Sequence, residues 1–255
     1  MIKGIYTSAV GMMPNKLKID VIANNLANIA TTGFKKDNIF IRILDSAVLD
    51  VNKNGGNELS GLLITEYTSF DQGNLKQTGN PLDLAINGNG FFVVQTPEGL
   101  RYTRNGNFTL TSDGKIVNSK GHVLLGVGGE IKLPDIARLK DVEIKVNKNG
   151  EIYAGDKFVG KIKVVWFNDL TKLKKTSSTY FSTDEGAGEI ELTDGFEIYQ
   201  GFLEESNVDA VEELVRMIEA SKIYDSGFDF YKSSLYPLAQ FQHQQCYMSK
   251  PYYPS

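Results

Sequence analysis

The most constraining feature of this sequence is the stretch from Asp20 to Phe34, which reads as the end of an amphipathic helix followed by a fixed stop. Gly33 stands where a helix cap takes a left-handed residue, a conformation that glycine adopts without steric cost. If Gly33 is the first residue beyond the cap, Ile29 and Phe34 are the pair that touches in a Schellman motif. The pattern predicts a helix over residues 1 to about 32.

Apolar residues along this helix recur at three- and four-residue spacing, which is a heptad-like seam. Pro14 lacks the amide hydrogen that a helix interior needs, so we expect a kink near Met13 or two helices, the second starting at Pro14. Lys16 interrupts the seam. The candidate assembly residues of this segment are Ile19, Ile22, Ala23, Asn24, Asn25, Leu26, Asn28, Ile29, Gly33 and Phe34.

Three asparagines, Asn24, Asn25 and Asn28, flank this seam. Two interpretations are equally open for each of them. They are solvent-facing amides, or they form hydrogen bonds between subunits, where a buried amide fixes register at some cost in stability.

A second amphipathic stretch lies near the other end of the chain, at residues 208–224, and Ser206 or Asn207 is its candidate N-cap. We expect it to pair with the first helix, although two helices packed separately on a globular core would give the same pattern. Gly227 is expected to end or weaken the helix, and the proline-containing residues beyond Asp229 to be non-helical. The apolar stripe of this helix is Val208, Val211, Leu214, Val215 and Ile218.

The middle of the chain has the period of β-strands. Residues 142–146 and 161–166 alternate between apolar and polar side chains, and residues 91–94 are continuously apolar, as in a central strand. Asn105–Gly106, Asp113–Gly114 and Asn149–Gly150 suit tight hairpin turns, and Lys120–Gly121 marks another turn. A short strand at residues 39–43, a turn at 52–57, an extended piece between Gly73 and Gly79 and an acidic loop at 184–188 complete this pattern.

The predicted fold is therefore mainly β with terminal α-helices. The N- and C-terminal segments form a discontinuous helical layer, and a central all-β domain lies between them. The expected divisions are 1–35 with 203–228 as a helical assembly core, 36–77 as an extended linker, 78–202 as the β domain and 229–255 as an atypical tail.

Composition excludes several classes of protein. The net charge is −4, which argues against a nucleic-acid binder because such a protein needs a basic surface. No apolar run approaches the roughly 20 residues that span a bilayer, and the N-terminus has no continuous apolar region of a cleaved secretory signal. A single cysteine, Cys246, permits no intrachain disulfide.

No pattern of catalytic or metal-binding residues emerges, and we expect neither enzyme activity nor a metal or cofactor. The two histidines, His122 and His243, are far apart in sequence, and only His243 has a nearby cysteine. Paired carboxylates such as Glu204–Glu205 are interpreted as solvated charges. Substitution of Glu204 or His122 is therefore expected to be tolerated.

Three long motifs resemble those of one family. Residues 23–35 (ANNLANIATTGFK) are similar to the N-terminal signature of the axial proteins of the bacterial flagellum, which comprise rod, hook and hook-associated proteins. Residues 79–94 with 102–106 resemble the β-domain signature of the rod and hook members, and residues 200–215 resemble the C-terminal signature. Residues 92–99 and 125–131 are closer to the proximal-rod type than to the distal-rod type.

The resemblance implies a structural subunit of the basal-body rod that self-assembles through paired terminal helices into a hollow drive shaft. Its implied partners are other rod subunits and further copies of itself, with no nucleic acid and no membrane insertion. Members of the family reach the periplasmic rod through the flagellar export system without a cleaved signal. The alternatives are a distal-rod or hook subunit and, in a different class, a carbohydrate-binding β protein. The last would need exposed rows of aromatic residues on the β domain, and Tyr102, Phe108 and Trp166 are too scattered in sequence to indicate one.

Overall fold

A computed structural model describes residues 2–43, 62–133, 143–183 and 188–248. The described chain is mainly β, with a helix near each end, which confirms the predicted fold class. The turn expected at 52–57 and most of the acidic loop at 184–188 lie outside the described residues. None of the helices in these ranges is long and apolar enough to cross a membrane.

The helices differ from the predictions at their ends. Helix α1 spans Ile2–Ala27 as one element with Pro14 inside it, so the two-helix alternative is wrong, and it ends earlier than expected. Helix α2 spans Ala210–Met248. It therefore starts after both expected N-caps and continues through Gly227 and Pro237, which corrects the prediction of a non-helical segment after Asp229.

The chain divides into two compact units. The first, here called the helical unit, comprises residues 1–26, 37–67 and 210–255. It holds both helices and two paired strands, β1 (Asp37–Ile43) and β2 (Leu62–Thr68). The second, here called the β unit, comprises residues 27–36 and 68–209 and so takes in segments on both sides of the expected 78–202 domain.

The β unit is built on antiparallel pairs. Its described strands are β3 (Leu75–Gln77), β4 (Leu84–Gly88), β5 (Phe91–Thr96), β6 (Gly99–Thr103), β7 (Phe108–Leu110), β8 (Ile116–Asn118), β9 (Val123–Gly126), β10 (Gly129–Glu130), β11 (Ile144–Val146), β12 (Glu151–Ala154), β13 (Lys157–Lys161), β14 (Val164–Phe167), β15 (Leu173–Lys175), β16 (Phe181–Thr183), β17 (Glu189–Glu191), β18 (Phe196–Gln200) and β19 (Phe202–Glu204), and a 3-10 turn lies at Leu170–Lys172. The largest sheet has the strand order β15-β16-β6-β5-β9-β8-β7, with β10 paired to β9, and with β14 joining β5 to β17. Smaller sheets pair β11-β12-β13, β18-β4 and β19-β3.

Three of the four predicted turns connect paired neighbours. Asp113–Gly114 joins β7 to β8, Lys120–Gly121 joins β8 to β9, and Asn149–Gly150 joins β11 to β12. The hairpin predicted at Asn105–Gly106 is wrong, because β6 and β7 lie apart in the sheet. Gly106 is instead packed against the backbone of Leu84, whose amide donates to the Gly106 carbonyl at 3.0 Å.

The core of the β unit lies on the two faces of strand β5, which is buried as its continuous apolar run predicted. Phe92 and Val94 belong to one apolar cluster, with Phe108 and Ile198, while Phe91 and Val93 belong to the other. Burial on both faces explains why this strand lacks the alternation of a half-exposed strand. The segments that follow α1 and precede α2 belong to this same unit.

Candidate functional site

The residues predicted on α1 fall into three groups. Ile22 and Asn25 are buried, Ile19 and Leu26 are half-buried, and Ala23 and Asn24 are exposed. Beyond the helix, Asn28 and Ile29 are half-buried, while Gly33 and Phe34 are buried within the β unit.

The stripe predicted on α2 points away from α1 in the single chain, which corrects the expected pairing face. Val211 is 71 % exposed and Leu214 and Val215 are each 50 % exposed, with Ile218 at 55 %. Val208 is buried but precedes the helix. We call Val211, Leu214, Val215 and Ile218 the outward face of α2.

The two helices run antiparallel, as two contacts show. Asn25 near the end of α1 meets Glu213 near the start of α2, whereas Met12 lies against Gly227. A Cβ atom added at Gly227 would lie 2.9 Å from Cγ of Met12, closer than real Cβ contacts allow. Gly227 therefore leaves room for Met12 of α1 to lie close to α2, and it does not end the helix.

Polar side chains, of which Asn25 and Glu213 are buried, connect the end of α1 to the start of α2. Asn25 Nδ2 donates to Glu213 Oε2 at 3.1 Å and to the backbone oxygen of Asp37 at 2.8 Å, while Asn25 Oδ1 accepts from the Asp37 amide at 3.0 Å. Arg216 Nη1 donates to Glu213 Oε1 at 3.0 Å and to Asn38 Oδ1 at 3.4 Å. We call Asn25, Asp37, Asn38, Glu213 and Arg216 the polar clasp, which joins α1, β1 and α2.

The chain leaves α1 by a different route from the Schellman cap. The helix ends at Ala27, and turns follow in which Thr31 N donates to Asn28 O and Phe34 N donates to Thr31 O. Gly33 has the predicted positive φ, at 68°, but its amide donates to the backbone oxygen of Glu204 at 2.8 Å. The cap prediction is wrong because these groups bond within the β unit and not back to the helix.

Glu204 is the centre of a buried ionic cluster and is fully buried, so its interpretation as a solvated charge is wrong. Its Oε1 accepts from Lys35 Nζ at 2.6 Å and from the Gly73 amide at 2.9 Å, and its Oε2 lies 3.3 Å from Arg104 Nη1. We call Lys35, Arg104 and Glu204 the Glu204 cluster. It ties together the segment after α1, strand β19 and the loop after β6.

Burial determines the electrostatics of this cluster. It lowers the pKa of the Lys35 ammonium, an effect that Glu204 opposes and the charge of Arg104 reinforces. Burial likewise lowers the pKa of the Arg104 guanidinium, against the attraction of Glu204. Two cations therefore depend on one carboxylate, with two backbone carbonyls, Asp71 O and Gly88 O, as further acceptors at 2.6 and 2.9 Å.

Two further contacts fix the segment after α1 in the β unit. Lys175 Nζ lies 3.8 Å from the centroid of the Phe34 ring and donates to Lys35 O at 2.7 Å. Asn207 does not cap α2. Its Oδ1 accepts from the Lys36 amide at 2.7 Å, and its Nδ2 donates to Ser69 O and Asp71 O, each at 3.0 Å.

Sequence reasoning missed the Glu204 cluster because Glu204 and Glu205 look alike in sequence. Glu204 ends strand β19 and Glu205 follows it, and successive side chains of an extended chain point to opposite sides. One carboxylate is therefore buried, while the other forms an exposed pair with Lys76. Lys35 and Arg104 do lie within the recognised motifs, but no local spacing indicates that they meet.

His122 lies in the β unit, whereas the side chains of His243 and Cys246 lie outside the described part of the chain. His122 Nδ1 lies 3.1 Å from the hydroxyl of Tyr180, and no cluster of three metal-binding side chains occurs among the residues that the structure describes. Tyr102 and Phe108 are buried, so they cannot form the exposed aromatic row that carbohydrate binding requires.

Comparison with known families matches all three parts of this arrangement. Residues 5–35 match the family "Flagella basal body rod protein", residues 85–154 match "Flagellar hook protein FlgE/F/G D1 domain", and residues 199–227 match "Flagellar basal body rod FlgEFG protein C-terminal". The first and third matches cover the segments that contribute Lys35 and Glu204, and the second covers Arg104.

Individual relatives align along most of their length. The chain is 35 % identical to the flagellar basal-body rod protein FlgF of Caulobacter vibrioides, over 89 % of this chain and 91 % of that protein. It is 31 % identical to the rod protein FlgG of Bacillus subtilis, over 89 % and 93 %, and 31 % identical to FlgG of Buchnera aphidicola, over 88 % and 93 %. The chain belongs to the family of flagellar basal-body rod proteins.

Proposed function

We propose that this chain is a structural subunit of the rod of the bacterial flagellar basal body, and that it assembles with other rod subunits and with copies of itself. The exposed outward face of α2 carries the proposal. Four large apolar side chains within about two helical turns remain in water in the single chain, where burial of each is worth ~1.5–3 kcal/mol. Packing against neighbouring subunits would remove them from water.

The resemblance to the rod family supports two layers in the assembled shaft. The terminal helices form the inner layer and the β domain an outer layer, with Ile19, Ile22, Ala23, Leu26 and the outward face of α2 as assembly residues. The Glu204 cluster supports this role, because it fixes both chain segments next to the helices within the β unit. The function is mechanical, transmitting torque and enclosing a channel, without catalysis.

The subunit is of the proximal-rod type, since the resemblance at residues 92–99 and 125–131 favours that type and a FlgF protein is 35 % identical. It reaches the periplasmic part of the basal body through the flagellar export system, as the resemblance to the family implies.

Complementation tests both the function and the type. The gene is expressed in two strains of its own or a related bacterium, one lacking FlgF and one lacking FlgG, and swimming is measured together with electron microscopy of isolated basal bodies. We expect rods and motility to return only in the strain that lacks FlgF. Rescue of only the strain that lacks FlgG would show that the chain is a distal-rod subunit. If the chain is incorporated into rods in neither strain, the proposal is refuted.

A further inference from the structure

In the helix pair, the apolar stripe of α2 is exposed, whereas polar and small residues are buried. The described residues of α1 and α2 that are buried are Pro14, Ile22, Asn25, Glu213 and Ala220. The four large apolar residues of the outward face are exposed on the other side of α2. Hydrophobic burial alone would rotate α2 to turn that face toward α1, which is also what the sequence pattern predicts.

Two features oppose this rotation. Asn25 and Glu213 are buried with hydrogen bonds to each other and to Asp37 and Arg216, and a buried polar group that loses its partners is costly. The side chain of Met12 lies against Gly227, where an added Cβ would be 2.9 Å from Cγ, and Ala220 on the same side of α2 is buried. Rotation would break the clasp and place branched side chains where glycine and alanine now allow contact.

We propose that the polar clasp is a specificity device that fixes the rotation and register of α2 on α1. Asn25 and Glu213 are its specificity-determining residues. They keep the outward face from being buried against α1 of the same chain. This specificity costs stability, as a buried asparagine does in a coiled coil. The consequence for assembly rests on the proposed function, whereas the rotation itself does not.

Thiol accessibility measures the rotation directly in the full-length chain. Cys246, the single cysteine, is first replaced by serine. Cysteines are then introduced one at a time as Leu214→Cys on the outward face and Ala220→Cys on the inner face, and their rates of labelling with a maleimide are compared. With the clasp intact, position 214 should react at least about tenfold faster than position 220, since only the first is open without local unfolding.

The decisive variant replaces both clasp residues, Asn25→Leu with Glu213→Leu. We expect labelling at position 214 to slow by about tenfold and labelling at 220 to rise, because the apolar face is then free to turn inward. The matched control, Asn24→Leu with Glu212→Leu, makes the same changes one position earlier, at exposed residues. Their own contacts, Asn24 to Asp37 at 3.5 Å and Glu212 to Arg216 at 3.8 Å, are longer than the bonds of Asn25 and Glu213, so the ratio of the two rates should stay close to that of the parent chain.

An unchanged ratio of the two rates in the Asn25→Leu, Glu213→Leu chain would overturn the proposal, and so would an equal change in the control. Circular dichroism checks that each variant is helical. If the leucine pair does not fold, Asn25→Ala with Glu213→Ala removes the same bonds without added bulk and is judged by the same ratio. Because no assembly step is measured, a negative result is separate from failure of the proposed function.

Discussion

Lys35 Nζ lies 2.6 Å from Glu204 Oε1, although the two residues are 169 positions apart in sequence. Both side chains are almost completely buried, and Arg104 shares the same carboxylate. This contact holds the segment that leaves the first helix against the segment that leads to the second.

Replacement of Glu204 by alanine should be strongly destabilising. It leaves the charges of Lys35 and Arg104 buried without their carboxylate, for which the expected loss is ~3–5 kcal/mol. Chemical denaturation of the full chain measures the free energy of unfolding. Glu205→Ala is the control, since its pair with Lys76 is exposed and should contribute less than ~1 kcal/mol. Equal effects of the two substitutions would contradict the buried cluster.

The lowered pKa of Lys35 predicts a pH dependence with a defined sign. Between that lowered value in the folded chain and the ordinary value of 10.5 in the unfolded chain, the unfolded state binds more protons. Stability contributed by this site therefore rises with pH in that window, and the full penalty for burying the charge is present below it.

The difference in free energy of unfolding between the parent chain and Lys35→Met isolates this contribution. We expect the difference to shift in favour of the parent chain as the pH is raised toward 10.5. A difference that moves in the opposite direction would mean that the cluster raises the pKa of Lys35.

Gly33→Ala should be more costly than an ordinary glycine substitution in a left-handed conformation. A Cβ atom at Gly33 would overlap the backbone of Arg104 and Asn105, in addition to the strain of the positive φ. Gly79→Ala is the matched control, because φ there is 75° and no atom lies within 4 Å of the added Cβ. The control should lose ~1–2 kcal/mol, and Gly33→Ala clearly more, as measured by thermal melting. Similar losses would argue against the close approach.

Leu214→Asp should separate assembly from folding. Its side chain is half exposed, so the isolated chain should lose less than ~0.5 kcal/mol of stability, yet incorporation into rods and swimming should fail. Ala220→Asp is the contrasting change, since it places a charge in the buried helix contact and should destabilise the monomer itself. Normal rods formed by Leu214→Asp chains would exclude the outward face from assembly.

A fragment limited to residues 78–202 should be less stable than one spanning 27–209. The shorter piece lacks both Lys35 and Glu204, which leaves Arg104 buried without its carboxylate, and it also loses the pairing of β3 with β19. Urea unfolding should give the longer fragment the higher midpoint, by a margin comparable to the effect of Glu204→Ala. A shorter fragment of equal stability would confine the folding unit to the central residues.

Several elements were predictable from sequence because their signals are local. Strand β5 follows from a continuous apolar run, and the turns at Asp113–Gly114 and Asn149–Gly150 follow from dipeptides that suit a tight hairpin. The positive φ of Gly33 was also predictable, but its hydrogen-bond partner was not, since that partner is Glu204.

The sequence by itself determined the class of the fold, the helices at both ends and, through three motifs, the family. Tertiary structure decided which side of α2 faces α1, because buried hydrogen bonds at Asn25 and Glu213 and the close approach at Gly227 outweigh the hydrophobic pattern. It also decided that Glu204 is buried and Glu205 is not. These outcomes depend on contacts between distant segments, and the local periodicity of a sequence carries no information about which distant charges and amides meet.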